Sequence, residues 1–143
     1  MERLKLVALD KEDLGILSTY CQDAVAKIGD LQYLPAEKRF VLVMNRYVWE
    51  IDGKKRTPER RRSVLHFNQI ENVKITGINQ NEPNEILSLL AITFEPEDLP
   101  AGKLHLVFSG NAAIRMEVEC IEVQLTDMDA AWKAKSQPVH DMD

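Results

Sequence analysis

Short apolar segments with a two-residue period constrain the fold of this chain more than any other feature. In KRFVLVMNRYVWEI, which begins at Lys38, both alternating sets of side chains are apolar at first. A strand that is covered on both faces has this pattern. The segments DLQYL, SVLHF, NVKITGI, EILSLLAITFE and KLHLVF also predict strands, and polar turns separate them. The sequence therefore predicts a mainly antiparallel sheet.

A segment near the N-terminus has a helical period instead. KLVAL at residues 5–9 predicts a short strand, and Asp10 follows it at an N-cap position. Apolar residues then recur at spacings of three and four. Gly29 is a suitable C-terminal stop, so the pattern predicts an amphipathic helix over about residues 11–27. Its apolar face needs a sheet to pack against.

The segment AIRMEVECIEVQLTDM, which begins at Ala113, leaves two interpretations open. Ile114, Val118 and Ile121 fit the stripe of a helix. The density of β-branched residues and the preceding Gly-Asn turn favour a strand. Because the alternation changes parity at Cys120-Ile121, the strand interpretation places a β-bulge there.

Together these patterns predict one α+β domain over residues 1–143, with a mobile tail after about residue 136. The N-terminal helix packs on a curved, mainly antiparallel sheet, or on a partly closed barrel, of about six to eight strands. A series of strand, loop, strand ending in Phe, turn and strand occurs twice. Two similar halves are therefore an alternative to a simple meander.

Composition restricts the compartment and the class of partner. The chain has 143 residues and a net charge of −5, which is unlike a general nucleic-acid binder. No apolar run approaches the roughly 18 residues of a membrane span, and MERLKLVALDKED lacks the apolar core of a signal peptide. Cys21 and Cys120 both lie in apolar patterns, which predicts two buried free thiols in a reducing compartment. We expect a cytoplasmic protein without membrane contact.

Positive charge is nevertheless concentrated in one stretch. In GKKRTPERRR, residues 53–62, six of ten residues are Lys or Arg. Gly53 and Pro58 indicate a loop, and the last three arginines lead into the strand SVLHF. Alternation then places Arg60 and Arg62 on one face of the strand and Arg61 on the other. Three kinds of partner stay open: carboxylates of the same chain, an acidic protein or anionic ligand, and nucleic acid. The candidate internal carboxylates are Glu50, Asp52, Glu117 and Glu119.

The first functional hypothesis is a non-enzymatic binding or interaction module. Its candidate site comprises Arg60, Arg61 and Arg62, with Trp49 nearby. Arginine forks bind carboxylates and phosphates, so this edge suits an acidic protein or an anionic ligand. The chain has no G-x-S-x-G elbow, phosphate-binding glycine loop, H-E-x-x-H or C-x-x-C motif. We therefore expect neither catalysis nor a cofactor.

The second hypothesis is a small enzyme that depends on a metal or on acid–base catalysis. His66 in SVLHF and His105 in KLHLVF each alternate with apolar residues. If their strands are neighbours, the two imidazoles share a face and can combine with Glu117 or Glu119. Two ordinary half-exposed histidines are the simpler interpretation.

Several short motifs make the whole chain resemble a known family. They are QDAV at residues 22–25, GD-x-x-YLP at 29–35, NR-x-VWE at 45–50, RRRS-x-LHF at 60–67 and EVECIE at 117–122. The chain resembles the DUF2948 family of small, mostly alphaproteobacterial proteins of unknown function. The resemblance implies a free-standing cytoplasmic domain. It implies no activity, cofactor or catalytic residue.

Overall fold

The computed structural model describes residues 4–48 and 59–128. Of these residues, 57% lie in β-strands and 14% in helices. The fold is mainly β, so the predicted α+β class with a sheet or barrel of six to eight strands is wrong. The described part of the chain contains one open antiparallel sheet of ten strands and one α-helix. Within it, no helix is long and apolar enough to cross a membrane. Trp49 and the predicted mobile tail lie outside the described residues.

The elements follow one another with short connections. In the described residues, helix α1 spans Lys11–Tyr20, and two 3₁₀ turns span Ile28–Asp30 and Pro35–Glu37. The strands are β1 Lys5–Ala8, β2 Ala24–Lys27, β3 Leu31–Leu34, β4 Arg39–Tyr47, β5 Arg60–Phe67, β6 Ile70–Thr76, β7 Ile86–Pro96, β8 Gly102–Phe108, β9 Ala113–Val118 and β10 Val123–Asp127.

The sheet has two groups of four strands. One group has the order β1-β10-β5-β4 and the other has the order β7-β8-β9-β6, with β2 between β4 and β7. β3 pairs with β4 beside β2 and forms a hairpin with it around the turn Pro35–Glu37. Buried side chains of both groups and of α1 form one continuous hydrophobic core.

The helix begins where the sequence predicts but ends earlier. The Asp13 N–H donates to Asp10 Oδ1 at 2.8 Å, which is the expected N-cap bond. The helix stops at Tyr20 because Asp23 adopts a positive φ of 66° and donates its N–H to the Leu89 carbonyl. The residues that follow form β2, which pairs with β7. Ala24 and Ala26 are buried there on one strand face, so the predicted helical extension to residue 27 is wrong.

The segment after residue 113 consists of two strands, so the strand interpretation is confirmed and the helical one is wrong. The predicted bulge at Cys120-Ile121 is a connection between the two groups of strands. β9 ends at Val118 beside β8 and β6, and β10 begins at Val123 beside β5 and β1. The change of parity in the sequence marks this change of neighbours.

The connection from β5 to β6 runs beside the one from β9 to β10. The Asn68 N–H donates to the Glu122 carbonyl at 2.9 Å, and the Glu119 N–H donates to the Gln69 carbonyl at 3.0 Å. The Glu122 carboxylate accepts from the side chains of Asn68 and Gln69 at 3.0 and 3.2 Å. We call residues 68–69 and 119–122 the paired crossovers. Because of them β6 pairs with β9 and not with β5, so the two halves do not form matching three-strand meanders.

Candidate functional site

The three arginines at the start of β5 are divided between the two faces of the sheet. Burial alternates along β5, with Arg61 on the same face as the buried Ser63, Leu65 and Phe67. Arg60 is exposed and Arg62 is half-buried on the opposite face. The structure therefore shows the alternation expected from the sequence, and the three arginines cannot act together on one partner.

Inside the core, Arg46 and Asp127 form a buried ion pair. Arg46 on β4 is fully buried, and its Nε and Nη2 donate to the two carboxylate oxygens of Asp127 at 2.8 Å each. Ser63 Oγ donates to Asp127 Oδ1 at 2.6 Å. Arg61 Nη1 lies 3.6 Å from Asp127 Oδ2, and its Nε lies 3.9 Å from Glu59 Oε2. Asp127 thus contacts both Arg46 of β4 and Arg61 of β5, whose side chains face the core.

The environment of Asp127 favours its charged form. Burial by itself raises the pKa of this carboxyl, but hydrogen bonds from Arg46 and Ser63 and the charge of Arg46 outweigh it, so the pKa is lowered. The Leu4 N–H also donates to Asp127 Oδ2 at 3.1 Å. The carboxylate therefore joins β10 to β4, to β5 and to the residue before β1, which is a structural role.

On the outer face, a groove of about 330 Å³ lies between β2, β4, β5 and the loop before β7. It forms because β2 pairs with β4 only at Val25 and Asn45 before the chain turns away at Ile28–Asp30. The loop holds the turn, since the Gly29 N–H donates to the Pro83 carbonyl at 2.8 Å. We call this space the outer groove. Its lining residues are Val25, Ala26, Lys27, Gly29, Asp30, Val43, Met44, Asn45, Arg62, Pro83, Asn84 and Ile86.

Arg62 of β5 lines the outer groove. Its Nη2 lies 3.9 Å from Asp30 Oδ2, and the two side chains are 30% and 35% exposed. Arg60 lies two residues away on the same face, about 6.6 Å along the strand. Its Nη1 donates to the carbonyls of Asp23 and Asn45 at 3.1 and 3.2 Å, and its guanidinium stands 6.0 Å from the centre of the Tyr47 ring. The outer groove therefore has a cationic edge.

The two histidines are far apart in the strand order. His66 is on β5 and His105 is on β8, with β4, β2 and β7 between them. His66 is half-buried, and burial, followed by the charge of Arg39, lowers its pKa. His105 Nε2 lies 3.3 Å from Glu95 Oε1. Residues 4–48 and 59–128 contain no group of three or more His, Cys, Asp or Glu side chains that could hold a metal ion.

Glu117 on β9 and Glu119 just after it do not lie beside the three arginines of β5, because β9 is not a neighbour of β5. Glu119 accepts a hydrogen bond from Lys38 Nζ at 2.6 Å, and Glu71 lies 3.7 Å from the same nitrogen. The hydrogen bond to Glu119 raises the pKa of Lys38. The contact between the two carboxyl groups raises the pKa of Glu71 and lowers the pKa of Glu119, and the hydrogen bond from Lys38 lowers the pKa of Glu119 further. This exposed cluster includes Glu119 of the paired crossovers. Glu50 and Asp52 lie outside the described residues.

Both charged sites also contain residues outside the candidate site predicted from the sequence. Arg46 and Asp127 stand at core positions of their strands, in step with Met44 and Leu125. The same alternation that divides the three arginines could have revealed this pair. Lys27, Asp30, Asn45 and Asn84 of the outer groove come from three separate segments, and no sequence period connects them.

Comparison with known proteins assigns a family but no activity. Residues 4–140 match the model of the family described as "Protein of unknown function (DUF2948)". Neither the curated proteins nor the solved structures contained a match. Because the matched region covers nearly the whole chain, this protein belongs to the DUF2948 family.

Proposed function

We propose that this protein is a non-enzymatic, cytoplasmic binding module whose outer groove takes a carboxylate-bearing ligand through Arg62. The observation that carries the proposal is the division of the arginines. Arg61 is directed to Asp127 in the core, whereas Arg62 lines a solvent-accessible groove. The cationic edge predicted from the sequence is thereby reduced to Arg62 and its neighbour Arg60.

The chemistry of the outer groove supports a carboxylate as the recognised group. A guanidinium offers a planar set of N–H donors that matches a carboxylate in bidentate fashion. Arg62 is 30% exposed, and Asn45 and Asn84 add carboxamides that donate or accept hydrogen bonds. A volume of about 330 Å³ is at the small end of ligand pockets, which span roughly 300–1,000 Å³. The groove thus suits one small group, either a free molecule or the side chain of an acidic protein.

The strand order bears on the enzymatic alternative but not on Trp49. Trp49 stays a predicted member of the binding surface on the sequence alone. The enzymatic alternative required His66 and His105 on neighbouring strands, and three strands separate them. Nucleic acid stays an unfavoured partner because the net charge of the chain is −5.

A peptide with side-chain carboxylates and no charged termini tests the proposal. We expect acetylated, amidated tri-glutamate to shift the amide resonances of Val25 and Asn45 in a ¹H–¹⁵N NMR titration. The Arg60→Gln/Arg62→Gln double variant should bind about tenfold more weakly, because charge-assisted hydrogen bonds are lost. Raising the salt concentration should also weaken binding.

Arg115→Gln is the matched control, since Arg115 is an exposed arginine on β9 in the other group of strands. It should bind the peptide as the wild type does. Equal affinities for the double variant and the wild type would refute the proposal.

A further inference from the structure

The outer groove carries both signs of charge side by side. The 3.9 Å between Arg62 Nη2 and Asp30 Oδ2 exceeds the length of a hydrogen bond. Both side chains are about one-third exposed. A small ligand whose anionic and cationic groups are attached to one carbon atom has a suitable size to contact both side chains.

The remaining side chains of the outer groove are mostly neutral. Val25 and Val43 contribute half-buried apolar surface from β2 and β4. Ile86, the first residue of β7, is 53% exposed and adds apolar surface at the edge of the groove. A ligand with a short apolar group would cover this surface and exclude water from it.

The balance of charge gives the ligand a polarity. Lys27 and Arg62 are cationic and Asp30 is anionic, so the charged lining sums to +1. This balance favours a ligand with an anionic group, and a carboxylate matches the guanidinium of Arg62. The carboxylate of Asp30 adds a place for an ammonium group beside it.

We infer that the outer groove binds a free α-amino acid with a short apolar side chain. The carboxylate of the ligand pairs with Arg62, its ammonium pairs with Asp30, and its side chain lies against Val25, Val43 and Ile86. This inference rests on the proposed function, because the same groove and the same arginine carry both. A free amino acid is favoured over a peptide end because only the free molecule has both charges on one carbon atom.

NMR titrations of the whole chain with three related small molecules distinguish the binding of any carboxylate from the binding of a free amino acid. Valine has both charges, N-acetylvaline has only the carboxylate, and valinamide has only the ammonium. We expect valine to bind about fivefold more tightly than N-acetylvaline, as one partly exposed ion pair allows, and valinamide to bind most weakly. If N-acetylvaline binds as tightly as valine, the inference fails while the proposed function stands. If neither carboxylate shifts the resonances of the outer groove, both fail.

A variant at Asp30 tests whether this residue binds the ammonium group of the ligand. In Asp30→Asn the preference for valine over N-acetylvaline should disappear, and N-acetylvaline should bind at least as tightly as before. Asp98→Asn is the control, because Asp98 is an exposed residue at a positive φ, where asparagine is well tolerated. It should retain the preference. A preference that persists in Asp30→Asn overturns the assignment of the ammonium to Asp30.

Discussion

At the scale of single residues, the core contains the charged guanidinium of Arg46, which requires a partner of opposite charge. It lies fully inside the protein, where an unpaired charge is costly, and Asp127 accepts two of its N–H groups. The pair does not by itself show a large net stabilisation, because both ions lose water on burial. It does make each partner indispensable to the other.

Asp127→Asn should therefore be strongly destabilising. The substitution removes the charge that compensates Arg46, and breaking a buried pair costs about 3–5 kcal/mol. Urea denaturation followed by circular dichroism gives the free energy of unfolding. Arg115→Gln, an exposed change, should stay within about 0.5 kcal/mol of the wild type. A loss of less than about 1 kcal/mol in Asp127→Asn would show that the pair is not buried as described.

The lowered pKa of Asp127 predicts how stability depends on pH. Because the folded-state pKa lies below the unfolded value of about 3.8, this carboxyl stabilises the fold above that value. The contribution is lost as the pH falls through the folded-state pKa. The free energy of unfolding, measured from pH 6 to pH 2, should fall less steeply in Asp127→Asn than in the wild type below about pH 4. Parallel curves would contradict the pKa assignment.

Cys21 and Cys120 should differ in reactivity. Burial raises the pKa of Cys21 to about 12, so almost no thiolate forms at neutral pH and the sulfur is shielded. Cys120 is half-buried in the paired crossovers, which corrects the prediction of two buried thiols. Cys120→Ser should show no fast reaction with a disulfide reagent at pH 8 until denaturant is added. Fast modification of Cys21 in the native protein would contradict its burial.

At the scale of elements, the paired crossovers determine which strands become neighbours. Glu122 accepts hydrogen bonds from both amide side chains of the neighbouring connection, Asn68 and Gln69. Glu122→Ala should cost about 1–3 kcal/mol, because these half-buried amides lose their acceptor. Glu117→Ala on the exposed face of β9 is the control and should be nearly neutral. Equal stabilities of the two variants by urea denaturation would argue against this role.

Local patterns predicted most strands but not their partners. The periods of β3, β4, β5, β7 and β8, the Asp10 cap and the turn at Pro35 are all encoded within a few residues. The end of α1 is not, because Ala24 and Ala26 fit either period and the choice depends on pairing with β7. The outer groove depends on the same tertiary pairing. The sequence predicts Arg62 as a candidate site residue, whereas no sequence pattern indicates Asp30.

At the scale of the whole molecule, one rule connects the fold to the proposed function. The alternation of side chains along β5 directs Arg61 to the core and Arg62 to the outer groove. We therefore expect these adjacent arginines to have two separate tasks. The first task is to balance the charge that joins β4, β5 and β10. The second, which is our proposal, is to recognise a carboxylate from solvent. Changes at the two positions should therefore have separable effects.

Urea denaturation of Arg61→Gln and Arg62→Gln, with and without saturating acetylated, amidated tri-glutamate, tests this division most directly. Arg61→Gln should lower the free energy of unfolding by about 1–3 kcal/mol and still be stabilised by the peptide. Arg62→Gln should match the wild type within about 0.5 kcal/mol without peptide and lose most of the stabilisation that the peptide provides. If both variants lose stability and peptide response to the same extent, the division of the arginines between fold and binding is contradicted.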